Sequence, residues 1–159
     1  HEHLLAKLSS LGVVGPMLRW FRSYLSDRYQ VVRYRGLKST VFPVLSGVPQ
    51  GSLLGPLLLA IYVNDMVSVI KHSKILLFAD DAKIYKEITS ESDCRDLQAD
   101  LNGVLLWCYR NKMEVNVSKC SVLTFSRWMN EETFEYFLGE EPLSRCSMIK
   151  DLGASWIFS

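Results

Sequence analysis

Stretches with a helical apolar period alternate along this chain with short β-prone runs, and the switches between them predict its elements. Leu4, Leu5, Leu8 and Leu11 repeat at helical spacing, and Gly12 stops that helix. Pro16 opens a second helix, with Met17, Trp20, Phe21, Tyr24 and Leu25 on one broad face. Tyr29 to Arg35 alternates weakly, as a strand does, and Val41 to Leu45 is a second extended piece whose Pro43 suits a sheet edge. Leu54 to Ile70 is apolar nearly all round and is predicted as a buried helix, with Pro56 in its first turn. Ile75 to Ala79 and Ala82 to Ile88 are strand-like runs joined at Asp80-Asp81, which predicts a tight hairpin with carboxylates at its tip. Ser90 or Ser92 can cap the next helix, whose Leu97, Leu101, Val104, Leu105 and Cys108 form an amphipathic core stripe. Cys120 to Ser126 reads as a strand, and Phe134 to Leu138 with Leu143 to Ile149 reads as a hairpin around Gly139-Glu140-Glu141-Pro142. Long helices mixed with short antiparallel strands make an α+β domain.

Composition supports a globular body. At 159 residues and 48% hydrophobic, the chain is one domain-sized unit with enough apolar material for a core, and disorder is excluded. It has no low-complexity tract or internal repeat. The longest apolar run is broken by Gly55 and Pro56 and is too short to span a bilayer. His1-Glu2-His3 does not open a secretory signal. Cys94, Cys108, Cys120 and Cys146 show no C-x-x-C spacing, so they read as free thiols in a reducing compartment rather than zinc ligands.

The net charge of +1 hides an asymmetry. Residues 1–79 carry nine Lys/Arg against three Asp/Glu, and residues 80–159 carry nine against fourteen. Much of the excess lies in Arg19, Arg22, Arg28, Arg33, Arg35 and Lys38, interleaved with Trp20, Tyr24, Tyr29 and Tyr34. Basic groups among aromatics suit a polyanion with stackable bases. A solvated basic helix followed by a polar strand produces the same pattern.

Two segments carry candidate chemistry. Carboxylates on a rigid hairpin, here Asp80 and Asp81, can grip Mg²⁺. Taken alone, the pair reads as a solvated turn. Thirty positions before Asp80, Ser46-Gly47-Val48-Pro49-Gln50-Gly51-Ser52 forms a Gly/Pro loop that feeds the apolar helix. Such a loop can bring backbone N–H groups close to a nucleotide or template strand, or can simply precede a core helix.

Together these segments resemble the reverse transcriptase of non-LTR, LINE-type retrotransposons, including the Jockey and CR1-like elements of animals. The resemblance rests on Pro49-Gln50-Gly51-Ser52, Leu54-Gly55-Pro56-Leu57-Leu58, Ile61-Tyr62-Val63-Asn64-Asp65 and Phe78-Ala79-Asp80-Asp81. Residues 1–11, Trp20 to Leu25, Trp107-Cys108, Val115 to Cys120 and Asp151-Leu152-Gly153 extend it over nearly the whole chain. Ser52 and Asn64-Asp65 point to the non-LTR branch.

The resemblance implies a polymerase palm, a split β-α-β sheet layered with helices and incomplete at its N-terminus, over residues 1–159. It implies two-metal nucleotidyl transfer with Mg²⁺ or Mn²⁺, and RNA template, DNA primer and dNTPs as partners. By motif match Asp80 is the principal metal-binding carboxylate, and Asp81 its neighbour at the metal or in the turn. Pro49, Gln50, Gly51 and Ser52 lie by the nucleotide and template, Phe78 and Ala79 by the primer end. Lys119 assists the leaving pyrophosphate or is a plain surface lysine. The charge pattern makes Arg19, Arg22, Arg28, Arg33 and Arg35 candidate nucleic-acid contacts. Leu152-Gly153 resembles the start of the primer grip. Location is intracellular, and nuclear by the life cycle of such elements. The family's first metal-binding aspartate precedes the residues matching His1-Glu2-His3, and the fingers and thumb segments have no counterpart here. The fragment alone is therefore expected to be inactive. The alternatives are a catalytically dead relic that binds nucleic acid through its basic half, and a generic α+β domain with an acidic turn.

Overall fold

A computed structural model describes residues 1–125, 134–151 and 154–157. Four helices form: α1 (Glu2–Ser10), α2 (Gly15–Leu25), α3 (Leu54–Val63) and α4 (Glu91–Arg110). The strands are short: β1 (Tyr29–Gln30), β2 (Arg33–Tyr34), β3 (Leu37–Lys38), β4 (Phe42–Pro43), β5 (Lys74–Phe78), β6 (Asp81–Tyr85), β7 (Ser121–Leu123), β8 (Phe137–Leu138), β9 (Glu141–Pro142), β10 (Ser144–Cys146), β11 (Met148–Asp151) and β12 (Ala154–Ile157). They pair two by two, as β1–β4, β2–β3, β5–β6, β7–β10, β8–β9 and β11–β12. The mixture of helices and small sheets fits an α+β domain.

The chain divides into two compact units, His1–Asp65 with Leu77–Asp81, and Met66–Leu76 with Ala82–Ser159. The first is built on the leucine spacing of α1. Leu4, Leu5 and Leu8 are buried with Leu25 of α2 and Leu58 of α3, and Val13, Leu18, Phe21, Tyr24, Val48, Leu54, Ile61 and Tyr62 pack around them. Burial of each such leucine contributes roughly 1.5–3 kcal/mol.

In the second unit α4 starts with a capping box. The Ser90 side chain accepts from the Asp93 N–H, and the Asp93 carboxylate accepts from the Ser90 N–H. This selects Ser90 over Ser92 as the cap. The helix buries Cys94, Asp100, Val104, Trp107 and Cys108. Gln98 pins β8 to it, since its amide donates to the Phe137 carbonyl (2.9 Å) and accepts from the Phe137 N–H (2.8 Å).

Several sequence expectations are corrected. Residues 29–35 do not form one strand. The run splits into β1, paired with β4, and β2, paired with β3. The helix expected to reach Ile70 ends at Val63 and tightens into a 3₁₀ segment, Asn64–Val69. Its burial is one-sided: Gly55, Leu58 and Val63 are buried, while Leu57 is half exposed. In α2 only Leu25 is buried, and Met17 and Trp20 face outward. The hairpin expected from 134–138 and 143–149 is smaller, β8 with β9. Residues after it turn elsewhere, β10 pairing in parallel with β7 and β11 antiparallel with β12. These partners lie far apart in sequence or in weakly patterned segments, where side-chain alternation says nothing about register. Ser126 and Leu152-Gly153 lie outside the described residues.

Candidate functional site

The hairpin expected around the acidic pair is present. β5 and β6 are five residues each, joined by Ala79 and Asp80, and Asp81 opens β6. Ala79 takes a left-handed φ of +51°. A two-residue hairpin needs positive φ to match strand twist, and an alanine there costs about 1–2 kcal/mol. The turn places Asp80 at the apex. Asp80 and Asp81 are both exposed. Among the described residues no hydrogen bond or ion pair engages either carboxylate, whereas the carboxylates of Asp65, Asp93, Asp96 and Asp100 are all engaged. Phe78 is 58% exposed beside them.

The tip residues Leu77–Asp81 belong to the same compact unit as the glycine-rich loop. Gly47 and Gly51 in that loop have φ near +78° and +75°. The His1 ring lies 2.9 Å from the Gly47 carbonyl through Nε2. Ser52 organises the turn: its hydroxyl donates to the Pro49 carbonyl (2.7 Å) and accepts from the Gly55 N–H (3.0 Å). The hydroxyl thereby serves one of the unpaired N–H groups at the start of α3. Gly55 is closely packed: a Cβ there would sit 3.2 Å from Ser52 Oγ and 3.3 Å from the Pro49 carbonyl oxygen, so those groups would have to give by a few tenths of an ångström. An open groove of about 360 Å³ is lined by Val48, Pro49, Gln50, Gly51, Ser52, Gly55, Pro56 and Leu59. Gln50 and Gly51 are exposed along it. Its walls all come from residues 48–59, so the carboxylate tip does not line it.

The end of α3 is tied down by Lys7, which sequence reasoning passed over. Its ammonium donates to the Tyr62 carbonyl (2.6 Å) and to Asp65 Oδ1 (2.7 Å) and lies 4.5 Å from the Tyr62 ring centre. Burial, reinforced by the Asp65 charge, raises the Tyr62 phenol above its ordinary pKa. The signal was available, since Lys7 falls three residues after Leu4 and beside Leu8 on the apolar stripe.

The predicted arginines separate into different roles. Arg22 forms a two-pronged pair with Glu2 of α1 at 2.7 and 3.4 Å, a brace between helices. Arg19 is exposed on α2. Arg28 lies over the Tyr24 ring, 6.0 Å from its centre, and Tyr24 stacks on Trp20. Arg33 and Arg35 are exposed on the β2–β3 hairpin. Lys119 is exposed at the end of the 3₁₀ turn Val117–Lys119, in the second unit.

Among the described residues, no group of three His, Cys, Asp or Glu side chains could hold a metal ion, and the acidic tip offers two carboxylates. No helix among them is long and apolar enough to cross a membrane.

The model of the reverse transcriptase (RNA-dependent DNA polymerase) family matches residues 1–143, a span that includes the carboxylate hairpin and the glycine-rich loop. The chain belongs to the reverse transcriptase family. Its relatives include a protein of Drosophila melanogaster named probable RNA-directed DNA polymerase from transposon X-element, 35% identical over 117 residues, which covers 70% of this chain and 13% of the relative. The probable RNA-directed DNA polymerase from transposon BS of the same species is 32% identical over 127 residues, covering 75% of this chain and 14% of the relative. The RNA-directed DNA polymerase from mobile element jockey of Drosophila funebris is 32% identical over 135 residues, covering 79% and 14%. This reverse transcriptase segment thus spans 13–14% of the length of these retrotransposon polymerases. No solved structure matches it.

Proposed function

We propose that this chain is part of the palm of a retrotransposon RNA-directed DNA polymerase, with the β5–β6 hairpin carrying the metal-binding carboxylates. The observation that carries the reading is the exposed Asp80-Asp81 tip, engaged by no other described side chain, in a chain whose family copies RNA into DNA. Mg²⁺ is commonly held by one or two carboxylates together with substrate phosphates, so two carboxylates at an open tip fit it. Asp80 is the main ligand and Asp81 its neighbour. When bound, the divalent ions lower the pKa of the attacking hydroxyl and neutralise charge on the transferred phosphoryl group. The residues of the chain do the positioning. Ala79 and the paired strands hold the Asp80 carboxylate outward, and Phe78 offers a ring at the primer end. Gln50 and Gly51 present an amide side chain and an open backbone along the groove to nucleotide and template. Pro49 and Ser52 fix the shape of that bend, with the Ser52 hydroxyl spent on the turn.

The test is primer extension on poly(rA)/oligo(dT) with Mg²⁺ by the polymerase whose sequence contains this segment. Asp80→Asn is expected to lower incorporation by about 10³-fold or more, since metal ions supply several kcal/mol to such transition states. Undiminished incorporation refutes the assignment. The 159-residue chain by itself is expected to make no product, since it spans only 13–14% of the length of the polymerases it matches.

A further inference from the structure

We propose that the β2–β3 hairpin is a docking arm for single-stranded nucleic acid, with phosphates on one face and an unpaired base on the other. Residues 28–64 contain no Asp or Glu, and all their cations, Arg28, Arg33, Arg35 and Lys38, lie at or before position 38. The strand register sorts the side chains. Arg33 pairs across the hairpin with Lys38, and Tyr34 with Leu37. Cross-strand partners share a face, and successive residues alternate. Arg33 and Lys38 therefore form a basic face, and Tyr34 and Leu37 an apolar one. Tyr34 is 66% exposed. The Arg35 guanidinium lies over its ring, 5.3 Å from the centre, and leaves the opposite ring face for a nucleobase.

The arm is closed at both ends before anything binds. Arg35 and Gly36 take φ of +47° and +83°, the pair of positive values that a tight hairpin turn requires. At its base the Ser39 N–H donates to the Val32 carbonyl (2.9 Å), and the Val32 N–H donates to the Ser39 hydroxyl (3.0 Å). A preformed arm loses little freedom on binding. Cations with an open aromatic ring favour a single strand, because a duplex does not offer the face of a base for stacking. An acidic protein would engage the basic face alone. The proposal rests on the polymerase reading only for whether the strand is RNA template or DNA primer.

The test is fluorescence anisotropy of the full 159-residue chain with labelled oligo(rU), oligo(dT) and an RNA duplex of equal length, in EDTA across a salt series. No metal or dNTP is present, so the outcome is independent of Asp80. Single strands are expected to bind more tightly than duplex, and the two single-strand arms distinguish RNA from DNA. Tyr34→Ala is expected to weaken binding about fivefold or more with the salt slope unchanged. Arg33→Gln with Lys38→Gln is expected to reduce the slope of log K against log salt by about 1.4, or about 0.7 per phosphate contact on a single strand. Equal or tighter binding of duplex, a Tyr34→Ala variant that binds like wild type, or an unchanged slope in the double variant overturns the proposal. Absence of binding at low salt also overturns it and leaves the surface to a protein partner.

Discussion

Asp80 and Asp100 are the same residue type put to opposite use. Asp100 is 1% exposed, in the middle of α4. Its two oxygens accept the backbone N–H groups of Lys71 (2.8 Å), His72 (2.9 Å) and Ser73 (2.7 Å), which lead into β5. Burial pushes its pKa up, and those three N–H donors outweigh burial and bring it below the ordinary value. Asp80, at the far end of β5, is exposed and no described group engages it. A carboxylate whose lone pairs are filled by backbone secures the fold. A carboxylate raised on a left-handed turn without partners is available to a cation. The contrast separates an acid held by the backbone from the one proposed to hold a cation, in a chain with seventeen acids.

The sharpest way to break this contrast is to neutralise each acid in turn. Asp80→Asn is expected to lower the polymerase's activity, as above, and to leave unfolding free energy within about 0.5 kcal/mol. Asp100→Ala does the reverse to the fold. Removing an acceptor that serves three N–H groups is expected to cost about 3 kcal/mol in urea unfolding of the chain, with Asp100→Asn losing about half of that. If Asp80→Asn destabilises as much as Asp100→Ala, the division of roles is wrong.

Acid sharpens the same comparison. A carboxyl whose pKa is lower folded than unfolded stabilises above its unfolded pKa and loses that contribution as pH falls through the folded one. Asp100 and Asp93 are both lowered, Asp93 chiefly by the Thr89 and Ser90 side chains. Stability is therefore expected to be full above about pH 5 and to decline as pH falls below about 4. The decline should be shallower in Asp100→Asn. An identical pH profile in that variant contradicts the role given to Asp100.

The smallest effect concerns the tip itself. Ala79→Gly relieves the left-handed alanine but adds freedom to the unfolded chain, so a net gain of about 0.5 kcal/mol is expected in the same unfolding measurement. Destabilisation instead would mean that the turn conformation is not as described.

Much of the site was legible because its signals are local. The β-prone runs on either side of Asp80-Asp81, the Gly/Pro punctuation of 46–56 and Ser90 ahead of an amphipathic run each act over a few residues. Asp100 was legible too and was missed. It lies three positions after Leu97 and four before Val104, on the apolar stripe, where an acid must find partners or pay for burial. The rest depends on distant groups. Nothing near Arg22 indicates that Glu2 engages it, and nothing near Lys7 points to Asp65. The parallel pairing of β7 with β10 joins segments more than twenty residues apart. Beside the helix end at Val63, Lys7 grips the Tyr62 carbonyl and Asp65, a contact across 55 and 58 positions.

The central claim, that the hairpin tip is a cation site, is tested most directly by Mn²⁺ titration of the isotope-labelled chain followed by NMR. Selective broadening of the amides of Phe78 to Ala82, abolished by Asp80→Asn and reversed by excess Mg²⁺, is the predicted result. Broadening centred elsewhere, or unchanged by Asp80→Asn, would contradict it.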